Sequence, residues 1–223
     1  DVVVVEVPLG AMNSVFQQMQ SSLDKSTVIT DVGSAKGTVL RDAHCSLGEY
    51  FPQFVPGHPI AGSENSGVEA GFASLYHDRK IILTPEQNTN KDAVAIIDKM
   101  WRETGADVEL MTVEHHDRVL AATSHLPHML AFSLVSHLSK MSDQDEIFNY
   151  AAGGFRDFTR IAASDPVMWR DICMANGDAL LELIDGFKKE LDEITKAIQH
   201  QDSEGLFELF RDSKHTRDQL RDL

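Results

Sequence analysis

STVITDVGSAKG, residues 26–37, decides the fold. Residues 27–30 are a short, mostly β-branched strand, and Asp31-Val32-Gly33-Ser34 is a turn of small and polar residues. A helix is predicted from Ser34 to about Cys45, with the Ser34 hydroxyl as its cap. A strand that feeds a helix through such a turn is the building unit of α/β folds, which place ligands at the carboxyl edge of their strands. The pattern continues in both directions. Upstream, residues 2–7 are a β-branched run, read as a strand buried on both faces and ended by Pro8 and Gly10. Residues 12–22 then form a helix with Val15, Phe16, Met19 and Leu23 on one side. Downstream, strands are predicted at 53–55, 80–83 and 107–111, and a helix at 91–104.

After Met111 the alternation stops. Residues 113–140 read as one long helix interrupted at Pro127, followed by helices near 145–151, 165–175, 178–200 and 203–222. Within the helix at 178–200, Leu180, Leu183, Ile184, Phe187 and Leu191 recur at spacings of three and four, the stripe of an amphipathic helix. The predicted class is α/β plus all-α: a partial Rossmann-type parallel sheet over residues 1–111, then a helical domain over 112–223.

Lys and Arg number 20 against 35 Asp and Glu, a net charge of −15. That field repels nucleic acid and anionic membrane, and an anionic substrate needs local cations in its pocket. The two cysteines, Cys45 and Cys173, are far apart and outside any CxxC pair, which reads as reduced thiols in a cytoplasmic protein. No signal peptide is visible, and no apolar run approaches the roughly 20 residues that span a bilayer. The chain opens directly inside a strand, so residues upstream are expected to be missing.

Three stretches carry candidate chemistry. In PGHPIAGSENSG, residues 56–67, Gly57 and Pro59 frame His58 rigidly. Such a frame suits a general base held for proton transfer, and equally a hydrogen-bonded surface imidazole. In ATSHLPHMLAF, residues 122–132, His125 and His128 lie three apart on neighbouring faces of a helix that Pro127 kinks. No third ligand sits at metal-site spacing, even with His115-His116 nearby, so no metal is expected. In GGFRDFTRIAASDPVMWRD, residues 153–171, Gly153-Gly154 permits a tight turn. Arg156 and Arg170 read as surface partners of Asp157, Asp165 and Asp171, and Trp169 as core. Arg160, flanked by Thr159 and Ile161, is the arginine expected to point inward and grip a carboxylate.

Taken in order, VPLGAM, DVGSAKG, GHPIAGSENSGVEA, ATSHLPH and GGFRDFTRIAASDPVMWRD resemble the prephenate/arogenate dehydrogenase family over residues 2–176. The resemblance implies oxidative decarboxylation of prephenate to 4-hydroxyphenylpyruvate in tyrosine biosynthesis, with hydride passed to NAD (NADP being the alternative cofactor). It also implies a homodimer formed through the helical domain. Arogenate is the alternative substrate, and a non-catalytic dimerisation or effector-binding module the alternative from another class. By the same resemblance His58 is the catalytic histidine, and Ser34 hydrogen-bonds near it and near the nicotinamide. His128 lines the substrate pocket and Arg160 binds a substrate carboxylate. Glu64, Gly153, Asp157 and Trp169 match further pocket or gating positions, and Pro8, Asp31, Gly33 and Ser34 lie at the cofactor edge. One departure stands out: the family's GxGxxG turn is absent from the 223 residues. It is expected upstream of Asp1, and a chain without it is expected to have lost most of its cofactor affinity.

Overall fold

The computed structural model describes residues 1–61 and 71–220. Strands β1 (Val2–Val5), β2 (Val28–Asp31) and β3 (Phe54–Val55) form a parallel sheet in that order. β4 (Gly57–Pro59), β5 (Lys80–Leu83) and β6 (Asp107–Leu110) form a second three-stranded sheet, with β4 antiparallel and β6 parallel to β5. Helices α1 (Met12–Met19), α2 (Lys36–Ser46) and α3 (Lys91–Glu103) connect these strands. β2 is buried at every position, as its unbroken apolar and threonine run predicts. β1 differs from expectation. It is an edge strand among the described residues, and Val2 and Val4 are each 42% exposed.

Two further local readings are corrected. The helix after β2 begins at Lys36, and no side chain of its own end caps it. Its first amides are instead taken by Asp117, from a helix some 80 residues later. Gly57-His58-Pro59, read as loop, is β4: Gly57, His58 and Pro59 pair with Leu83, Ile82 and Ile81. So short a strand carries no periodic signal of its own, and only its partner reveals it.

The helical part starts at α4 (Val113–Leu120), whose N-terminus is capped by the Thr112 hydroxyl accepting from the His115 N–H. A π-helical turn, Ala121–His125, then leads into α5 (Leu126–Leu138). The interruption thus precedes Pro127, which sits in the first turn of α5 where its missing N–H costs nothing. By length and composition Val113–Leu138 is apolar enough to cross a bilayer, contrary to the expectation that no such run exists. It carries His116 and His125, both buried and hydrogen-bonded within the protein. Next come α6 (Gln144–Asn149) and α7 (Gly153–Thr159), then a 3-10 turn Arg160–Ala163 and α8 (Pro166–Ala175). Gly153 and Gly154 open α7 rather than making a tight turn, and a Cβ at either would meet nothing. Asp165 caps α8 by accepting from the Met168 N–H.

Asp1–Leu180 form one compact unit. One apolar cluster gathers Met12, Phe16, Ile29, Val39, Leu47 and Phe54 with Trp169 and Ile172. In it the Phe16 and Phe54 rings meet edge to face at 5.3 Å. Because Trp169 and Ile172 belong to α8, the cluster ties the helical part to the first sheet. A second cluster packs α3 on β5 and β6 through Ile81, Leu83, Ile97 and Trp101. The second unit, Leu181–Leu223, holds most of α9 (Gly177–Gln199) and α10 (Ser203–Gln219). Leu181, Leu191, Ile198, Phe207 and Phe210 remain exposed along it.

Candidate active site

The end of β2 and the start of β4 are clasped by a buried ion pair. Lys36 Nζ reaches Asp31 Oδ2 at 2.5 Å and donates to the Gly57 carbonyl at 2.6 Å, with both charged side chains fully buried. Asp31 also accepts from the Gly33 N–H at 2.8 Å and from the Gly57 N–H at 3.2 Å. A Cβ on Gly57 would lie 3.1 Å from the Asp31 carbonyl, and one on Gly33 2.9 Å from the Asp31 carboxylate. Tight packing against the Asp31 backbone at Gly57, and against the Asp31 and Leu9 side chains at Gly33, therefore favours glycine at both positions. Burial pulls the Lys36 pKa down and Asp31 opposes that pull. Both Asp31 oxygens are thus engaged by the protein itself at the carboxyl edge of the sheet.

His58 is not the surface imidazole that its sequence left open, since it is only 8% exposed. Its Nδ1 lies 2.9 Å from His116 Nε2, and His116 Nδ1 lies 2.7 Å from Asp117 Oδ1. Asp117 Oδ1 also accepts from the Lys36 N–H, and Oδ2 from the Gly37 N–H, each at 2.8 Å. Burial by itself raises the Asp117 carboxyl, but His116 and the two amides outweigh it and hold the pKa below the usual carboxylate range. Asp117 is therefore an ionised, acceptor-only group. With both rings neutral, one arrangement of protons satisfies this chain. His116 donates Nδ1–H to Asp117 and accepts at Nε2 from His58 Nδ1–H, so the unprotonated nitrogen of His58 is Nε2. Burial, then the nearby Lys36 ammonium, pushes the His58 pKa well below that of an ordinary imidazole. The result is an oriented base that stays neutral at physiological pH.

A second histidine network lies beside the first. Asn176 Nδ2 donates to the Asp117 carbonyl at 2.7 Å, which fixes its amide orientation. The same Nδ2 lies 3.2 Å from His125 Nδ1, so His125 accepts there and carries its proton on Nε2. Burial lowers its pKa to about 4. His128 donates Nδ1–H to the Ser124 carbonyl at 2.8 Å and stacks on Trp169 with centroids 3.7 Å apart. Burial lowers its pKa as well. Trp169 packs in the first cluster, as expected for a core residue, and also forms a wall of a cavity.

That cavity, of about 380 Å3, is lined by Ile60, Ala61, Arg79, Ser124, His128, Arg160, Ile161, Ser164, Met168 and Trp169. It brings together His128, Arg160 and Trp169, and reaches Ile60, two residues beyond His58. Arg160 is exposed on the cavity wall rather than pointing into an apolar interior, because its 3-10 turn lies at the surface. Gly153 and Asp157 are exposed on α7 and do not line the cavity, Pro8 is exposed after β1, and Ser34 is half-buried after β2. Arg170 pairs with Asp171 at 2.7 Å, as expected for a surface cation. Glu64 lies outside the described residues. A larger groove of about 820 Å3 contains none of the histidines, and its Asp42, Glu114, Asp117, Asp171 and Asp178 outnumber Arg41 and Arg118. It is the wrong sign for an anion.

Residues 1–110 match the nucleotide-binding domain of prephenate dehydrogenase, and residues 112–212 match its dimerization domain. The cyclohexadienyl dehydrogenase of Zymomonas mobilis is 42% identical over 219 residues, covering 97% of this chain and 74% of that protein. This chain belongs to the prephenate dehydrogenase family. The prephenate dehydrogenase of Bacillus subtilis is 39% identical over 221 residues, of which this chain spans 59% of the length. The crystal structure of Aquifex aeolicus prephenate dehydrogenase, in complex with hydroxyphenyl propionate and NAD+, superposes with a TM-score of 0.91 at 39% identity. It is covered over 76% of its chain, and this chain over 99%. Synechocystis arogenate dehydrogenase, 24% identical with a TM-score of 0.82, shares the fold. The α/β sheet followed by helices is thus the fold of this family.

Sequence reading weighed His116 only as a metal ligand and missed Asp117 and Asn176. His116-Asp117 is an adjacent pair whose roles depend on side chains from α2 and β4, so nothing local marks it.

Proposed function

We propose that the protein containing this chain oxidises prephenate to 4-hydroxyphenylpyruvate and CO2 with NAD+ as hydride acceptor. Residues 1–111 serve the cofactor half, and residues 112–223 the substrate and dimerisation half. The observation that carries the reading is the Asp117–His116–His58 chain, which leaves a neutral, oriented imidazole nitrogen at the end of β4. A base of this kind is what oxidation of a ring alcohol needs. Pro8, Gly33 and Ser34 lie at the carboxyl edges of β1 and β2, where folds of this class place their cofactor. NAD+ supplies the hydride acceptor when bound.

His58 Nε2 takes the C4 hydroxyl proton as hydride leaves C4. The ring carboxylate then departs as CO2, its bonding pair aromatises the ring, and the proton returns to the phenol oxygen. Charge and protons balance with no net proton released. Arg160 holds a substrate carboxylate, and His128, stacked on Trp169, shapes the wall beside it. Unit Leu181–Leu223, with its exposed apolar side chains, supplies surface for pairing two copies. The test is NAD+ reduction by the full-length protein with prephenate and, separately, with arogenate. No turnover of either would refute the reading, and preference for arogenate would transfer it to the sibling substrate. In the same assay His58→Asn is expected to lower kcat by about 10²–10⁴ with KM near normal.

A further inference from the structure

Arg79 lines the same cavity as Arg160 but comes from the opposite structural layer. It immediately precedes β5, whose next residue, Lys80, pairs with Glu109 on β6. Side chains alternate along a strand, so Arg79 faces away from that pair, toward Ile60 and Ala61. Its backbone is pinned on both sides. The Arg79 N–H donates to the Tyr76 carbonyl at 3.0 Å, and the Arg79 carbonyl accepts from Asp107 at 2.8 Å. The residue before it, Asp78, adopts φ +56°, a left-handed conformation that costs a non-glycine residue energy. The Asp78 N–H is tied to the carbonyl of Gly105, where a Cβ would lie 2.7 Å from the His77 ring. This strained turn places Arg79 at the cavity, and no ion pair to a described residue occupies its guanidinium.

None of the described residues lining the cavity is acidic, although the chain as a whole carries −15. A substrate with two carboxylates needs two cationic contacts to enter such a protein, and the cavity offers one guanidinium from the sheet side and one from the helical side. We propose that Arg79 is a second carboxylate-binding residue, which makes the site selective for small dicarboxylates over monocarboxylates. The inference rests on the prephenate reading above.

The experiment uses the full-length protein and its Arg79→Gln and Arg79→Lys variants. Steady-state KM and kcat for prephenate are measured at two ionic strengths, together with the inhibition constant of 3-(4-hydroxyphenyl)propionate, a monocarboxylate. For Arg79→Gln the expected result is a KM raised by about tenfold, the effect of losing one partly solvated charged contact. With it should come kcat within about twofold of the parent and a weaker salt dependence of KM. The monocarboxylate constant should move less than KM, and Arg79→Lys should restore most of the loss. A KM rise under about threefold, or one matched by the monocarboxylate, would make Arg79 a solvated surface cation and overturn the proposal. If the parent protein does not turn over prephenate, the functional reading fails. Calorimetric binding of prephenate against the monocarboxylate then still tests Arg79 on its own.

Discussion

Replacing His116 by leucine tests the proton arrangement most directly. His116 is fully buried and lines neither of the two cavities described above, so its removal leaves their walls unchanged. Its Nε2 is the acceptor that holds the proton of His58 on Nδ1. Without it, His58 can carry its proton on Nε2 instead, where it cannot act as a base. When His58 gains a proton during reaction, its bond to His116 becomes charge-assisted, worth about 1.5–3 kcal/mol. At 1.36 kcal/mol per tenfold, loss of that bond lowers kcat by about 10- to 150-fold. KM for prephenate should change by less than about threefold, because the bond is present with and without substrate and strengthens only as His58 gains a proton. His116→Gln places an amide oxygen near the former Nε2 and should recover much of the rate. The assay is NAD+ reduction by the full-length variants, with thermal melts to show that they are folded. Unchanged kcat in a folded His116→Leu protein would refute the relay, and so would a loss confined to KM.

Asp117→Asn should behave differently. An amide can keep its oxygen toward His116 and Lys36 by turning its NH2 to the Gly37 N–H, which sacrifices one hydrogen bond but preserves the ring protons. Stability should fall by about 1–3 kcal/mol in denaturant titration, with a smaller loss of kcat than in His116→Leu; the opposite ranking would count against the geometry. His125 predicts acid sensitivity. Its folded pKa of about 4 lies below the 6.5 of an exposed imidazole, so the unfolded chain binds the extra proton. Its contribution is complete above pH 6.5 and is lost as pH falls toward 4, by about 3 kcal/mol at most for a shift of that size. Denaturation midpoints across that range should decline more steeply in the parent protein than in His125→Asn.

How much was legible in the sequence follows from the range of each interaction. β2, β5 and β6 appeared within a residue or so because β2 and β5 are short, mostly apolar runs and β6 alternates polar and apolar residues. β4 did not, since the three residues Gly57-His58-Pro59 become a strand only through pairing with β5, more than 20 residues away. Local rules nominated Ser34 as the cap of α2, but a carboxylate from α4 reached those amides. The cavity residues His128, Arg160 and Trp169 were visible through the family's motifs. Arg79 was not, because nothing near it in sequence separates a site arginine from a surface one. The π turn at Ala121–His125 was also hidden, as hydrophobic spacing does not distinguish one wide turn from a regular helix.

Asp117 touches three things at once: the first amides of a helix packed on the sheet, the ring that sets the orientation of His58, and the α4 backbone from which it projects. One carboxylate thereby acts as an interlock between assembly and reactivity. A molecule in which α4 has drifted from α2, whether in folding or after damage, leaves its imidazole free to tumble between two proton placements. Such a molecule would be catalytically silent before it was visibly unfolded, so lost turnover should report a loosened junction earlier than a melting curve does.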